Sequence, residues 1–153
     1  MELKQSQDIP RPIDEVWAAL NDADTLAKAI PGCQELNKVS DTELSAKVKL
    51  KIGPVSATFT GEVTLSELNP PRSYVISGAG KGGVAGSATG SARVELEPIN
   101  DGAATRLTYE VDAAVTGKIA QLGSRLIEST AKKLATKFFT EFITILSPEA
   151  EPS

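Results

Sequence analysis

Gly78, Gly80 and Gly83 stand at G-x-G-x-x-G spacing directly after an apolar segment. In a dinucleotide-binding fold that spacing cradles a pyrophosphate, because a helix follows whose N-terminus faces the phosphates. Here Gly86, Ala88, Gly90, Ala92, Val94 and Leu96 follow in alternation, which is a strand pattern. Nor does Lys81 make a phosphate loop, since Gly82 stands where Ser or Thr is required. The glycines therefore argue for a spatial role. The stretch from Gly78 to Ala92, GAGKGGVAGSATGSA, holds six of the twelve glycines, and its bulkiest apolar residue is Val84. A small-residue strand facing a core either admits close approach by another segment or leaves a cavity for a ligand.

Other residues that could do chemistry are few. Histidine is absent, which removes the commonest general base and metal ligand near neutral pH. Cys33, the single cysteine, has no histidine to activate it and reads as a small buried hydrophobe. Glu62, Glu95, Glu97, Glu110 and Asp112 fall on outward strand positions as ladder partners for Lys and Arg. No acid/base pair and no metal or cofactor site is expected. Two polar groups remain on apolar faces. The hydroxyl of Tyr109 could meet a ligand carbonyl. Thr130 could do the same, or bond back to its own helix. Lys132, Lys133 and Lys137 read as a solvated helix face.

The elements that must position these residues are legible from their periods. Glu2 to Ile9 reads as a first strand, ended by Pro10 and Pro12. Ile13, Val16, Trp17 and Leu20 recur at helical spacing behind Pro12, which suits a first helical turn. Asp24 is expected to cap a second short helix that Pro31-Gly32 stops. Alternation then marks strands over Leu44–Ile52, Val55–Leu65, Tyr74–Ser77, Gly86–Leu96 and Leu107–Val115. Gly80 to Gly83 read as a flexible hairpin connection, or as a mobile rim over a cavity mouth. A helical pattern runs from about Lys118 to Leu146, with Thr116 as its expected N-cap and Ser147-Pro148 as its stop. Its expected inner stripe is Ile119, Leu122, Leu126, Thr130, Leu134, Phe138 and Phe142.

Direct strand-to-strand links imply an antiparallel sheet, and the long helix is the element able to cover its apolar face. The predicted fold is α+β helix-grip: a curved sheet of about seven strands wrapped around a C-terminal helix, with two short helices after the first strand. One domain over 1–147 and a disordered polar tail over 148–153 are expected, consistent with 153 residues.

Charge and composition narrow the function. The formal net charge of −4 argues against nucleic acid. There is no secretory signal pattern and no apolar run long enough to span a bilayer. With one cysteine, the expected setting is cytoplasmic, either free or peripheral at the membrane's inner face.

The order of elements, with IPGC (Ile30 to Cys33), KIGPVSATFTGEV (Lys51 to Val63), GKGGVAG (Gly80 to Gly86) and GKIAQLGSRLIE (Gly117 to Glu128), resembles the carbon monoxide dehydrogenase CoxG family, part of the START-like (SRPBCC) superfamily. The resemblance covers about residues 1–146. It implies a deep apolar cavity, a non-catalytic role and association with a molybdenum hydroxylase of the carbon monoxide dehydrogenase type. It also implies quinone binding and membrane recruitment of that enzyme. Members with a membrane role carry a long tail ending in an amphipathic anchor; the sequence stops at Ser153, which argues against membrane attachment here.

The expected ligand is hydrophobic and quinone-like. Its expected contacts are Leu50, Phe59, Ile76, Gly86, Ala88, Gly90, Tyr109, Val111, Leu122, Leu126 and Thr130, with Gly80, Gly82 and Gly83 as cavity rim. The alternatives are an assembly or docking factor for the hydroxylase with an incidental cavity, and a lyase or cyclase of the START-like type.

Overall fold

A computed structural model describes residues 1–147; the expected tail over 148–153 lies outside the described residues. Within them, ten regular elements follow in order: β1 (Glu2–Ile9), α1 (Ile13–Leu20), α2 (Ala23–Ala29), β2 (Cys33–Lys38), β3 (Glu43–Ile52), β4 (Val55–Asn69), β5 (Ser73–Lys81), β6 (Ser87–Ile99), β7 (Ala104–Thr116) and α3 (Ser124–Leu146). The strands form one antiparallel sheet in the order β1-β7-β6-β5-β4-β3-β2. Every step from β2 to β7 is a hairpin. Only β1 crosses over to pair with the last strand, Glu2 opposite Asp112 and Ile9 opposite Thr105. The sheet curves around α3, and the helix-grip expectation holds.

The core lies where the C-terminal half of α3 meets the sheet and α1. Phe142, Ile9 and Val16 are fully buried, with Leu107 and Ile119 nearly so. Phe139 stacks on Tyr109 of β7 with ring centroids 5.6 Å apart, and Trp17 meets Tyr74 edge-on at 5.2 Å. Offset and edge contacts of this kind add about 1 kcal/mol each to the burial itself.

Three local expectations change. The N-cap of α2 is Asp22 and not Asp24: its carboxylate accepts from the Thr25 amide at 3.2 Å and the Thr25 hydroxyl at 2.6 Å. The long helix starts at Ser124, not Lys118. After β7 the chain makes a tight turn over Ala120–Leu122, and Gly123 at φ +94° then opens α3. Thr116 therefore caps nothing; it ends β7 and shares a 2.7 Å hydrogen bond with the Ser87 hydroxyl. Finally, β5 runs on to Lys81, so the strand expected over Tyr74–Ser77 continues through Gly78 and Gly80. Pairing to β4 on one side and β6 on the other overrides the weak strand propensity of glycine.

Candidate functional site

Antiparallel pairing sets residues in rows across the curved face. One row reads Ala46, Gly61, Gly80, Ala88 and Val115, each directly opposite the next. The next row reads Leu44, Val63, Gly78, Gly90 and Ala113. A third reads Leu65, Ile76, Ala92, Val111 and Leu3. The first two rows are almost free of large side chains at their centre. Five strands thus contribute one patch of glycine and alanine, and no side chain fills the space above it.

That space is an apolar trough of about 460 Å³, lined by β3 to β7 and by Ile119. Its wall includes Val48, Leu50, Ile52 and Phe59 at one end, with Ile76 and Val111 at the other. A second, more enclosed chamber of about 310 Å³ lies deeper, between the sheet, the short helices and α3. Leu20, Leu36, Tyr74, Tyr109, Ala135, Phe138 and Phe139 line it, and Lys38 and Asp41 stand at its margin. Val63, Ile76 and Ala92 line both spaces, so the two adjoin along these residues.

The expected contacts sort by their place in these rows. Leu50, Phe59, Ile76, Ala88, Gly90 and Val111 line the trough, as does the expected rim residue Gly80. Tyr109 lines the deeper chamber. Gly86 lines neither: its φ is +112°, and a side chain there would run into the Thr116 carbonyl and Gly117. Close backbone approach is the meaning of that glycine. Leu122 lies in the turn before α3, and Leu126 is turned onto Gly53, where any Cβ would meet its Cδ2 at 2.8 Å. Thr130 lines neither space. A position for these three residues opposite the small-residue wall requires a helix that begins at Lys118. The break at Gly123 moves and turns that segment.

The rim also differs in detail. Gly82 seats the Phe59 ring, whose Cε1 lies 2.6 Å from where a Cβ would be. Gly83 opens a short turn to Ala85 in which Val84 is 85% exposed. The base of this loop is tied by two hydrogen bonds. The Gly82 amide donates to the Gly86 carbonyl (2.8 Å) and the Ile119 amide to the Ala85 carbonyl (3.0 Å).

Two of the polar groups inside are already engaged. The Tyr109 hydroxyl donates to Gln5 Oε1 at 2.8 Å, and burial pushes its pKa upward. The Asn21 amide nitrogen donates to the Trp17 carbonyl at 2.9 Å. Three of the five outward carboxylates pair: Glu110 with Lys4 (3.0 Å) and Glu97 with Arg106 (3.8 Å) across strands, and Glu95 with Arg93 (3.0 Å) within β6; among the described residues Glu62 and Asp112 form no ion pair. Cys33 is half-buried; its thiol donates to the Glu35 carbonyl at 3.4 Å, and burial raises its pKa, the opposite of an activated thiol. Among the described residues no group of three or more His, Cys, Asp or Glu could hold a metal ion. No helix among them is long and apolar enough to cross a membrane.

Comparison with known proteins gives these features a context. The family model for CoxG, the G subunit of carbon monoxide dehydrogenase, matches residues 6–147. The chain belongs to the CoxG family. A conserved protein from Geobacillus kaustophilus superposes with a TM-score of 0.91 at 29% identity, covering 97% of this chain and 96% of that one. A START superfamily protein from Mycobacterium smegmatis superposes at 0.73 with 10% identity, covering 96% and 97%. The Zhui aromatase/cyclase from Streptomyces sp. R1128 superposes at 0.72 with 13% identity, covering 99% and 96%. The last two share the fold. No curated protein sequence matches. The family and the START-like fold together suggest a role in binding a hydrophobic ligand, and the trough is where this CoxG-family chain has room for one.

Sequence reasoning missed the small wall residues Ala46, Gly61, Gly78 and Ala113, and the larger Val48, Ile52, Val63 and Val115 beside them. Each is unremarkable within its own strand. They become a site only through pairing, and a register built from the hairpin turns would have found them.

Proposed function

We propose that the protein is a non-catalytic carrier of a hydrophobic, quinone-like molecule. It would serve a molybdenum hydroxylase of the carbon monoxide dehydrogenase type by passing electrons toward the membrane or recruiting the enzyme there. The observation that carries this reading is the apolar trough over the glycine–alanine rows, with the deeper chamber adjoining it. The two spaces, about 460 and 310 Å³, fall within the size range of small-molecule sites. A ring and prenyl chain burying several hundred Å² there gains on the order of 25 cal/mol per Å² before the costs of association. The partner enzyme is supported by the family description.

A cyclase-like activity on the same fold has less support. The chain has no histidine, the outward carboxylates face solvent, and Tyr109 already donates to Gln5.

Native mass spectrometry of the purified protein, followed by solvent extraction, tests the carrier reading. A stoichiometric apolar adduct that extraction removes and added quinone restores is the expected result. A protein that carries no adduct and takes up no quinone overturns it.

A further inference from the structure

Two tyrosines stand in one row of the sheet, and their hydroxyls differ in what they meet. Tyr74 of β5 lies opposite Val94, Val94 opposite Tyr109, and Tyr109 opposite Gln5. At the usual strand spacing the two tyrosines are roughly 10 Å apart, and both line the deeper chamber. Tyr109 has a polar neighbour on the next strand and donates to it. Tyr74 has none. Its neighbour on β6 is Val94, and on the other side the β4 register breaks between Ser66 and Asn69. No β4 residue therefore stands directly opposite it. Trp17 closes on its ring edge-on at 5.2 Å.

The Tyr74 hydroxyl is accordingly a buried donor with no hydrogen-bond partner among the described residues. The residue is 3% exposed, so bulk solvent barely reaches it. Burial pushes its pKa upward, and the group keeps its proton. A buried hydroxyl left unpaired is costly, and native structures rarely keep one without a reason. Trp17 and Val94 hold the ring, so the donor is set in place before any ligand arrives.

The chamber around it suits a flat ring. Phe138 and Phe139 of α3 line it with Tyr109, and the small Ala135, one turn earlier, leaves room beside them. Other polar residues there are engaged or at the margin. Asn21 donates to the Trp17 carbonyl, and Lys38 and Asp41 are exposed. The volume of about 310 Å³ is at the lower end for small-molecule sites. It admits a ring but not a ring with a long chain. A chain has the adjoining trough, which shares Val63, Ile76 and Ala92 with the chamber.

We propose that the deeper chamber is a head-group site selecting a flat ring that bears a carbonyl. The Tyr74 hydroxyl donates to that carbonyl, and the ligand's chain runs out along the glycine–alanine rows of the trough. This rests on the carrier reading and adds to it an orientation, ring innermost, and a residue that selects a carbonyl over a plain hydrocarbon.

Titration of the full chain with menadione carrying a decyl chain, and with naphthalene carrying the same chain, tests this. Tyr74→Phe removes the oxygen and keeps the ring. It should bind the quinone roughly tenfold more weakly and the hydrocarbon as well as the unaltered protein does. Its melting temperature should not fall, because no protein partner is lost. Infrared difference spectra give a readout that packing alone does not move. One carbonyl band of the bound quinone should lie at lower frequency than in apolar solvent and return in Tyr74→Phe, while Tyr109→Phe leaves it shifted. Ala135→Leu narrows the chamber and not the trough, and should also weaken the quinone.

Quinone affinity and carbonyl bands identical in Tyr74→Phe and the unaltered protein overturn the proposal and leave the carrier reading standing. So does an equal loss for quinone and hydrocarbon, which would make the hydroxyl a matter of shape. Full quinone affinity in Ala135→Leu overturns the placement of the ring. If the unaltered protein binds no quinone, the carrier reading fails and the proposal with it.

Discussion

The hydroxyl of Tyr109 donates to Oε1 of Gln5 across the β1–β7 pair at 2.8 Å. Tyr109 is 6% exposed, and its ring stacks on Phe139 of α3. A tyrosine that looks like an anchor for a ligand carbonyl is thus a brace between the crossing strand, the last strand and the helix. Removing only the hydroxyl leaves Gln5 unpaired. Tyr109→Phe should destabilise the protein by about 1 kcal/mol with ligand affinity nearly unchanged. Thermal unfolding and a quinone titration of one sample check both halves. A tenfold loss of affinity with stability intact would return the hydroxyl to the ligand.

Filling the trough should separate binding from folding. Ala88 lies in the row of Gly61 and Gly80 with its side chain on the open space. Ala88→Leu should therefore cost little stability, while quinone affinity falls at least about tenfold through lost volume. Isothermal titration beside a melting curve reads both quantities.

The glycines should behave as two kinds. Gly86→Ala meets the Thr116 carbonyl at a φ of +112° and should destabilise by about 2 kcal/mol or more. Gly80→Ala finds its nearest neighbour, the Phe59 Cβ, at 3.8 Å and should be close to neutral. Chemical denaturation of the pair checks this. Equal costs would mean that the Gly82–Gly86 loop is not fixed as described.

Much of this site is legible before the fold, and the limits have physical causes. Strands β3, β4, β6 and β7 show strict alternation, which exposes their inward residues Leu50, Phe59, Ala88, Gly90 and Val111. The edge strand β2, with only Leu36 inward among polar neighbours, carries no such period. The start of α3 is displaced because Ile119, Leu122 and Leu126 keep helical spacing through a turn that Gly123 interrupts. Sequence period does not register one residue at φ +94°, and three expected contacts go with it. Gly61 and Gly78 are invisible as wall because a row across a sheet is a non-local object.

The cap of α2 gives a pH signature. Hydrogen bonding to Thr25, chiefly its hydroxyl, holds the Asp22 carboxyl below its ordinary value of 3.8. A depressed folded pKa contributes stability that is present above the unfolded value and is lost as pH falls through the folded one. Asp22→Ala should therefore cost about 1 kcal/mol near neutrality, and the difference between the two proteins should shrink as pH falls below the ordinary value of 3.8. The side chain is exposed, so the effect should be modest. Urea unfolding as a function of pH resolves it.

The most direct test of the carrier account uses Trp17, the single tryptophan. It lies edge-on to Tyr74 at 5.2 Å, and Tyr74 lines the deeper chamber. A quinone seated in these adjoining spaces should quench Trp17 fluorescence saturably at one equivalent, and Ala88→Leu should abolish that saturation without changing the melting temperature. Quenching that rises linearly with quinone, identically in both proteins, would mean collision in solution and would contradict a ligand site in the trough.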